Sequence, residues 1–220
     1  MTRHALYREG RTETFHGTDC SEETFRKFRE WLEPRKPVVF VSDNPAYDFQ
    51  LLTWGNHDWC GQACSFRSDS PAHARSTDLQ ILVDESTTIP CSDGTSRHVS
   101  VWATPWSKKF MRWAFMKEPS DLVPIYAAIP EGTDILVSHQ PPLYYGDRTF
   151  NRDTGRTEHV RSRELLDAIE RVRPKVVICG HVHGGFGRYE HQGIPIYNVS
   201  VVDEAYRHVN APTVIDLPDL

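Results

Sequence analysis

Three apolar runs in this chain of 220 residues stop abruptly in the same kind of polar turn: LLTWGNHD, DILVSHQPP and KVVICGHVHGG. Each run has the length of an interior strand and is bounded by turn residues, and none alternates polar with apolar. Strands apolar on both faces need cover on both sides, which predicts an α/β fold with helices packed on a sheet. In such a sheet the ends of neighbouring strands meet along one edge, so residues far apart in sequence converge there. Asn56, His57 and Asp58 follow the first run, His139 the second, and His181 and His183 the third. Gly55, Pro141, Pro142, Gly180, Gly184 and Gly185 supply the turn chemistry. The glycines either let backbone approach a ligand closely or simply make tight turns.

The remaining pattern agrees with one α/β domain over residues 1–220. A helix is predicted from near Ser21 to Pro34, with Glu22 and Glu23 in its first turn and Phe25, Phe28 and Leu32 on one face. A second is predicted in SRELLDAIERV, burying Leu165, Leu166 and Ile169. VVFVSDNP, QILVDES, RHVSVWATP, GIPIYNVSVVD and PTVIDLP read as further strands, with QILVDES and RHVSVWATP flanking the turn CSDGTS. QACSFRSDSPAHARSTDLQ and the segment after SHQPP read as irregular loops.

Composition narrows the function. The chain is 39% hydrophobic and 25% charged with a net charge of -5, so it has no overall attraction for nucleic acid or an anionic membrane. A long nucleic acid is therefore not the expected substrate. No apolar run approaches the length of a membrane span, and the first residues lack the apolar core of a secretory signal. A cytoplasmic location is the expectation. Cys20, Cys60, Cys64, Cys91 and Cys179 are odd in number and show no repeated pair spacing, which supports neither a disulfide framework nor a four-cysteine zinc site. Cys60 and Cys64 lack the downstream pair that a shared metal needs.

Histidines one residue apart, a third histidine, an Asn amide oxygen and an acidic group form a nitrogen and oxygen ligand set. Such a set suits zinc, iron, manganese or nickel. GNHD, SHQPP and GHVHGG, in this order, resemble three signature motifs of the calcineurin-like metallophosphoesterases. ATPW, IPEGTDILVSHQPP and TVIDLPDL resemble most closely the small metallophosphoesterase-domain-containing branch, and the similarity runs from about residue 15 onward. The resemblance implies a four-layer αββα sandwich, two mixed sheets flanked by helices, with two divalent metal ions at the strand ends. Carried over by position, Asn56, His139 and His181 bind the second metal, His183 binds the first, and Asp19 bridges them. His57 stabilises or protonates the departing oxygen, and Asp58 orients that imidazole. The implied reaction is hydrolysis of a phosphoester by metal-activated hydroxide.

The first half of the pattern is altered. The family's opening Asp-X-His motif has no counterpart before Asp19, and Thr18 stands where its second motif has glycine. Asp19 is equally placed to cap the following helix. Asp43 in VVFVSDNP is a displaced first-metal ligand or an Asx turn, and His4 and His16 are weaker substitutes. Three functional classes follow: a two-metal phosphoesterase, a mononuclear and weaker one, and a degenerate binding module. The expected substrate is a small phosphorylated molecule or a nucleotide. Trp102, Trp106, Phe110 and Trp113 among Lys108, Lys109 and Arg112 are either substrate contacts, core, or an interface anchor. Arg148, Arg152, Arg156 and Arg161 either grip phosphate or face solvent. Oligomeric state is left open.

Overall fold

In the computed structural model, which describes residues 2–8, 11–17, 39–40, 50–65, 79–90, 97–151, 155–159 and 162–215, the chain begins with an antiparallel hairpin. Its strands are β1 (Thr2–Arg8) and β2 (Arg11–Gly17). β3 (Val39–Phe40), β4 (Gln50–Leu52) and β5 (Leu79–Ile81) form a three-stranded sheet, with helix α1 (Trp59–Ser65) between the last two. There follow β6 (Glu85–Pro90), β7 (His98–Thr104), the short pair β8 (Ser107–Lys108) and β9 (Met116–Lys117), and helix α2 (Pro119–Ala127). Then come β10 (Ile135–Ser138), the hairpin β11 (Arg148–Asn151) and β12 (Arg156–His159), and helix α3 (Arg163–Val172). The last strands are β13 (Val176–Cys179), β14 (Gly187–His191) and β15 (Ile194–Asn198).

The second sheet has six strands in the order β14-β15-β13-β10-β7-β6. Its four inner strands run parallel, and antiparallel β6 and β14 close the edges. Every residue of β10 and β13 is buried, whereas edge strand β14 alternates between half-buried and exposed. The uninterrupted apolar runs therefore mark the strands that need cover on both faces. Trp102, Leu136 and Val177 pack with Leu122, Tyr126, Leu165 and Ile169 of the helices. Their chain neighbours Val101, Ile135, Val137, Val176 and Ile178 belong to a second cluster that Leu51 of the three-stranded sheet joins. The mixed α/β architecture expected from the sequence, with two sheets and covering helices, is thus present. Leu136 is fully buried at the centre of this arrangement. Leu136→Ala is expected to lower stability by about 2–5 kcal/mol in urea unfolding, through lost transfer energy and a cavity between sheet and helices.

The SRELLDAIERV helix starts and stops where its residues dictate. The Ser162 hydroxyl accepts from the Leu165 N–H, Glu164 lies in the first turn, and Arg173 closes the helix at φ 52°. Arg171 donates to the carbonyls of Tyr126, Ala127 and Ile129 and so fastens α3 to the end of α2. Helix α2 was not expected from the sequence, although Pro119 at its first position and Leu122 and Tyr126 on its buried side carried the signal.

Four expectations need correction. QILVDES is not one strand: Asp84, at φ 52°, separates β5 in one sheet from β6 in the other. The Asp84 carboxylate accepts from Thr104 Oγ1 and Trp106 Nε1, and burial raises its pKa. The stretch beginning QACS is not loop at its start, because α1 runs through Ser65. Part of the segment after SHQPP is the β11–β12 hairpin, which leaves Arg148 and Arg156 exposed. Residues 212–215 of the last expected strand are not part of any sheet. The helix predicted from Ser21 to Pro34, together with Asp19, Asp43, Arg152 and Arg161, lies outside the described residues.

Candidate active site

β4 ends at Leu52, and after buried Trp54 the chain reverses in a turn at residues 55–58. The Asp58 N–H donates to the Gly55 carbonyl at 3.0 Å, and the Gly55 N–H donates to the Asp58 carboxylate at 2.6 Å. The Asp58 carbonyl then accepts from Gln62 N–H, which opens α1. This closed loop of bonds presents Asn56 inward, where it is buried, and His57 outward, where it is exposed. Burial pushes the Asp58 carboxyl up to about 7, against the opposing effect of the Gly55 N–H.

His139 follows β10 and is held at both backbone ends, its N–H donating to Thr104 and its carbonyl accepting from Gly180. β10 is flanked by β7 and β13, so these two bonds continue the sheet ladder one residue past the strand. His181 follows β13 with φ 65°, a left-handed conformation uncommon for a residue with a side chain. Asn198, at the end of β15, holds that loop. Its Nδ2 donates to the carbonyls of Val182 at 2.8 Å and Gly146 at 2.9 Å, while its Oδ1 accepts from Ser200 N–H and Oγ.

These elements bring three donor atoms to one point. His139 Nε2 lies 2.8 Å from Asn56 Oδ1, and His181 Nδ1 lies 3.1 Å from the same oxygen. The Asn56 N–H also donates to His139 Nε2 at 3.2 Å, so the lone pair of that nitrogen is turned toward the turn. Asn56 Nδ2 is buried without a partner, while its oxygen is directed at both imidazoles. Burial drives His139 well below its ordinary pKa, with smaller contributions from His181, His57 and His183. Burial first, then His183 and His57, bring His181 to about 4. Both rings are therefore neutral near pH 7, the state in which imidazole ligates, and a metal at His139 Nε2 would take the place of the bond from the Asn56 N–H.

Neighbouring ligands at right angles, about 2.1 Å from a divalent ion, are separated by about 3.0 Å. The separations around Asn56 Oδ1 match that value, so the three residues fit a divalent cation with nitrogen and oxygen ligands. Among the described residues no three His, Cys, Asp or Glu side chains close on one point. The third donor is the Asn56 amide. His183 stands beside this group and helps lower the pKa of His57 and His181, yet its Nδ1 donates to the Asp203 carbonyl at 2.9 Å. That bond places a proton on Nδ1, so Nε2 would be the ligating atom. The His57 ring rests against Trp113 with centroids 4.6 Å apart. Beyond His183 a concavity of about 500 Å³ is bordered by Phe186, Asp203, Glu204, Arg207, Val209 and Asn210.

The calcineurin-like phosphoesterase family model matches residues 14–185. The chain belongs to that family. Metal-dependent hydrolysis of phosphoesters is the chemistry of calcineurin-like phosphoesterases in general. Metallophosphoesterase domain-containing protein 1 of Homo sapiens is 28% identical over 212 residues, covering 88% of this chain and 59% of that protein. The UPF0046 protein T07D4.2 of Caenorhabditis elegans is 32% identical over 122 residues, covering 54% of this chain and 30% of that protein. The chain thus spans less than two thirds of the length of either relative. A solved crystal structure with a TM-score of 0.50 and 16% identity covers 81% of this chain and 63% of that one, a likeness of fold alone.

Of the residues expected from the sequence, Asn56, His139 and His181 meet, His183 flanks them, and His57 and Asp58 share the turn with Asn56. Asn198 and the Asp203 carbonyl were missed. Asn198 carried the same signal as the others, a polar residue ending the apolar run IPIYN. Asp203 acts through its backbone, which no side-chain pattern reveals. Trp102 and Trp106 prove to be core, while Trp113 touches His57.

Proposed function

We propose that this chain hydrolyses a small or nucleotide phosphodiester with the help of divalent metal ions, His57 assisting the leaving group. The observation that carries the reading is the convergence of Asn56 Oδ1, His139 Nε2 and His181 Nδ1 one residue away from an exposed imidazole. Asn56, His139 and His181 hold the second metal position. His183, through Nε2, and Asp19 serve the first. Bound there, divalent ions supply charge neutralisation for the phosphoryl oxygens and an activated water at neutral pH. Burial keeps the ligand imidazoles neutral. Partial burial of its ring and the neighbouring His183 lower the pKa of His57, and the protonated fraction of the ring is the form that gives a proton to the departing oxygen. Asp58 keeps His57 in place through the turn it closes. The concavity beyond His183, with Phe186 and Arg207 on its border, suits the organic part of the ester. Manganese, iron, zinc or nickel as the metal and the cytoplasm as the setting belong to the same proposal.

A mononuclear enzyme is the second reading, favoured because Asn56 Oδ1 and the two imidazole nitrogens beside it make one site. Elemental analysis of anaerobically purified protein, beside hydrolysis of bis(p-nitrophenyl) phosphate with and without manganese, separates the readings. Two metals per chain and metal-dependent turnover are expected. One metal with turnover selects the mononuclear enzyme, and absence of turnover with every metal overturns hydrolysis. On a phosphodiester with an alkyl leaving group, His57→Ala is expected to lower kcat by about 10²–10³-fold at unchanged metal content.

A further inference from the structure

The contact between Trp113 and His57 is built by the backbone on both sides of it. The Ala114 N–H, one residue past Trp113, donates to the carbonyl of Asn56, one residue before His57, at 3.0 Å. The Phe115 N–H then donates to Gln62 Oε1 at 2.7 Å, and Gln62 N–H in turn donates to the Asp58 carbonyl. Phe115 is fully buried at φ 46° with its ring edge-on to Trp106. At the other end, Ser107 N–H donates to Phe115 and Lys109 N–H to Lys117. Residues 109–113 are therefore a short arch pinned at both feet, and Trp113 is the foot set against the turn. Its indole meets the imidazole at 4.6 Å and 42°, within the range where aromatic rings attract. An exposed histidine has several rotamers open to it, and this contact selects among them.

We propose that Trp113 is a positioning residue for His57, holding the imidazole on the leaving-group side of the site, and that the arch 109–113 walls that side. The inference rests on the hydrolysis reading above. In the reaction a water oxygen bonds to phosphorus and releases its proton to solvent. The bond from phosphorus to the leaving oxygen breaks with its electron pair on that oxygen, which takes a proton from the protonated His57 ring; the neutral imidazole left behind regains its proton from solvent before the next turnover. A p-nitrophenolate leaves without that proton, whereas an alkoxide needs it. Trp113 therefore matters for one kind of ester and not for the other.

The test compares Trp113→Leu and Trp113→Phe, each alone and combined with His57→Ala, on bis(p-nitrophenyl) phosphate and on a dinucleoside monophosphate. Trp113→Leu is expected to lower kcat about tenfold on the dinucleotide at unchanged KM, and to leave the nitrophenyl ester within about twofold. Trp113→Phe restores most of the loss, and in the His57→Ala background Trp113→Leu adds nothing. Equal losses on the two substrates, or additive losses in the double variant, overturn the inference while leaving the hydrolysis reading intact. Proton NMR supplies a readout independent of turnover. The carbon-bound ring protons of His57, assigned by their disappearance in His57→Ala, are expected upfield under the indole and return downfield in Trp113→Leu. Unshifted resonances overturn the positioning role whatever the activity. A wild-type protein inactive on both esters overturns the hydrolysis reading and this inference with it.

Discussion

Gly55→Ala is expected to remove metal-dependent turnover by at least about 100-fold and to lower the metal bound per chain, although the substitution adds one methyl group. A Cβ at Gly55 would lie 2.6 Å from His139 Nδ1 and 2.8 Å from its Nε2. No carbon approaches a ring so closely without displacing it. The backbone of residue 55 cannot retreat, since both its N–H and its carbonyl are bonded to Asp58. His139 cannot retreat easily either, because its own N–H and carbonyl are tied to Thr104 and Gly180. The ring must rotate away from Asn56 Oδ1, and one donor of the set is lost. The strain is expected to cost about 1–3 kcal/mol of stability, so the variant still folds. Elemental analysis with thermal unfolding checks both parts. A folded variant with full metal content and normal turnover would mean that the observed contact between Gly55 and His139 does not define the site.

Asn198→Ala is expected to produce the largest loss of stability of any single polar substitution near the site, about 3 kcal/mol or more, with a metal affinity about 10–100-fold weaker. The side chain is buried and makes bonds in both directions, donating to Gly146 and Val182 and accepting twice from Ser200. Alanine takes the Asn198 partner from the Gly146 carbonyl and from the Ser200 N–H and hydroxyl, while the Val182 carbonyl keeps only the Gly185 N–H, and each lost bond carries a desolvation penalty. The affinity falls because Val182 separates His181 from His183, and the strained His181 backbone keeps its conformation only while neighbours hold it. Urea unfolding of metal-free protein, followed by metal titration, measures the two effects separately. Loss of stability with unaltered affinity would show that Asn198 braces the fold and not the ligand loop.

The strands that carry ligands were legible because burial on both faces leaves a plain mark, three or four consecutive apolar residues closed by a turn that holds glycine or proline. β10 and β13 are such runs, and both lie inside the parallel sheet. The helix α3 was legible for a related reason, since its cap, first turn and buried face all pointed the same way. QILVDES misled because the apolar pattern continues while the backbone changes sheets at Asp84, whose left-handed conformation leaves no trace in hydropathy. Helix α1 was missed because WCGQACS has no acidic residue in its first turn and no basic residue in its last, and is only seven residues long. A short helix of this kind forms because Asp58 and Gln62 are already engaged in holding the site.

The sequence by itself determined which residue types stand at strand ends, and hence the nitrogen and oxygen chemistry of the site and the family it resembles. It determined this locally, through the spacing of apolar and turn residues along each run. Only the tertiary structure decided that Asn56 comes from the three-stranded sheet while His139 and His181 come from the six-stranded one. It also decided that Trp113 lies on His57 and that His183 is tethered to a backbone carbonyl. The physical reason is that strand periodicity records burial, which each residue experiences singly, whereas the meeting of two sheets depends on contacts between segments more than eighty residues apart.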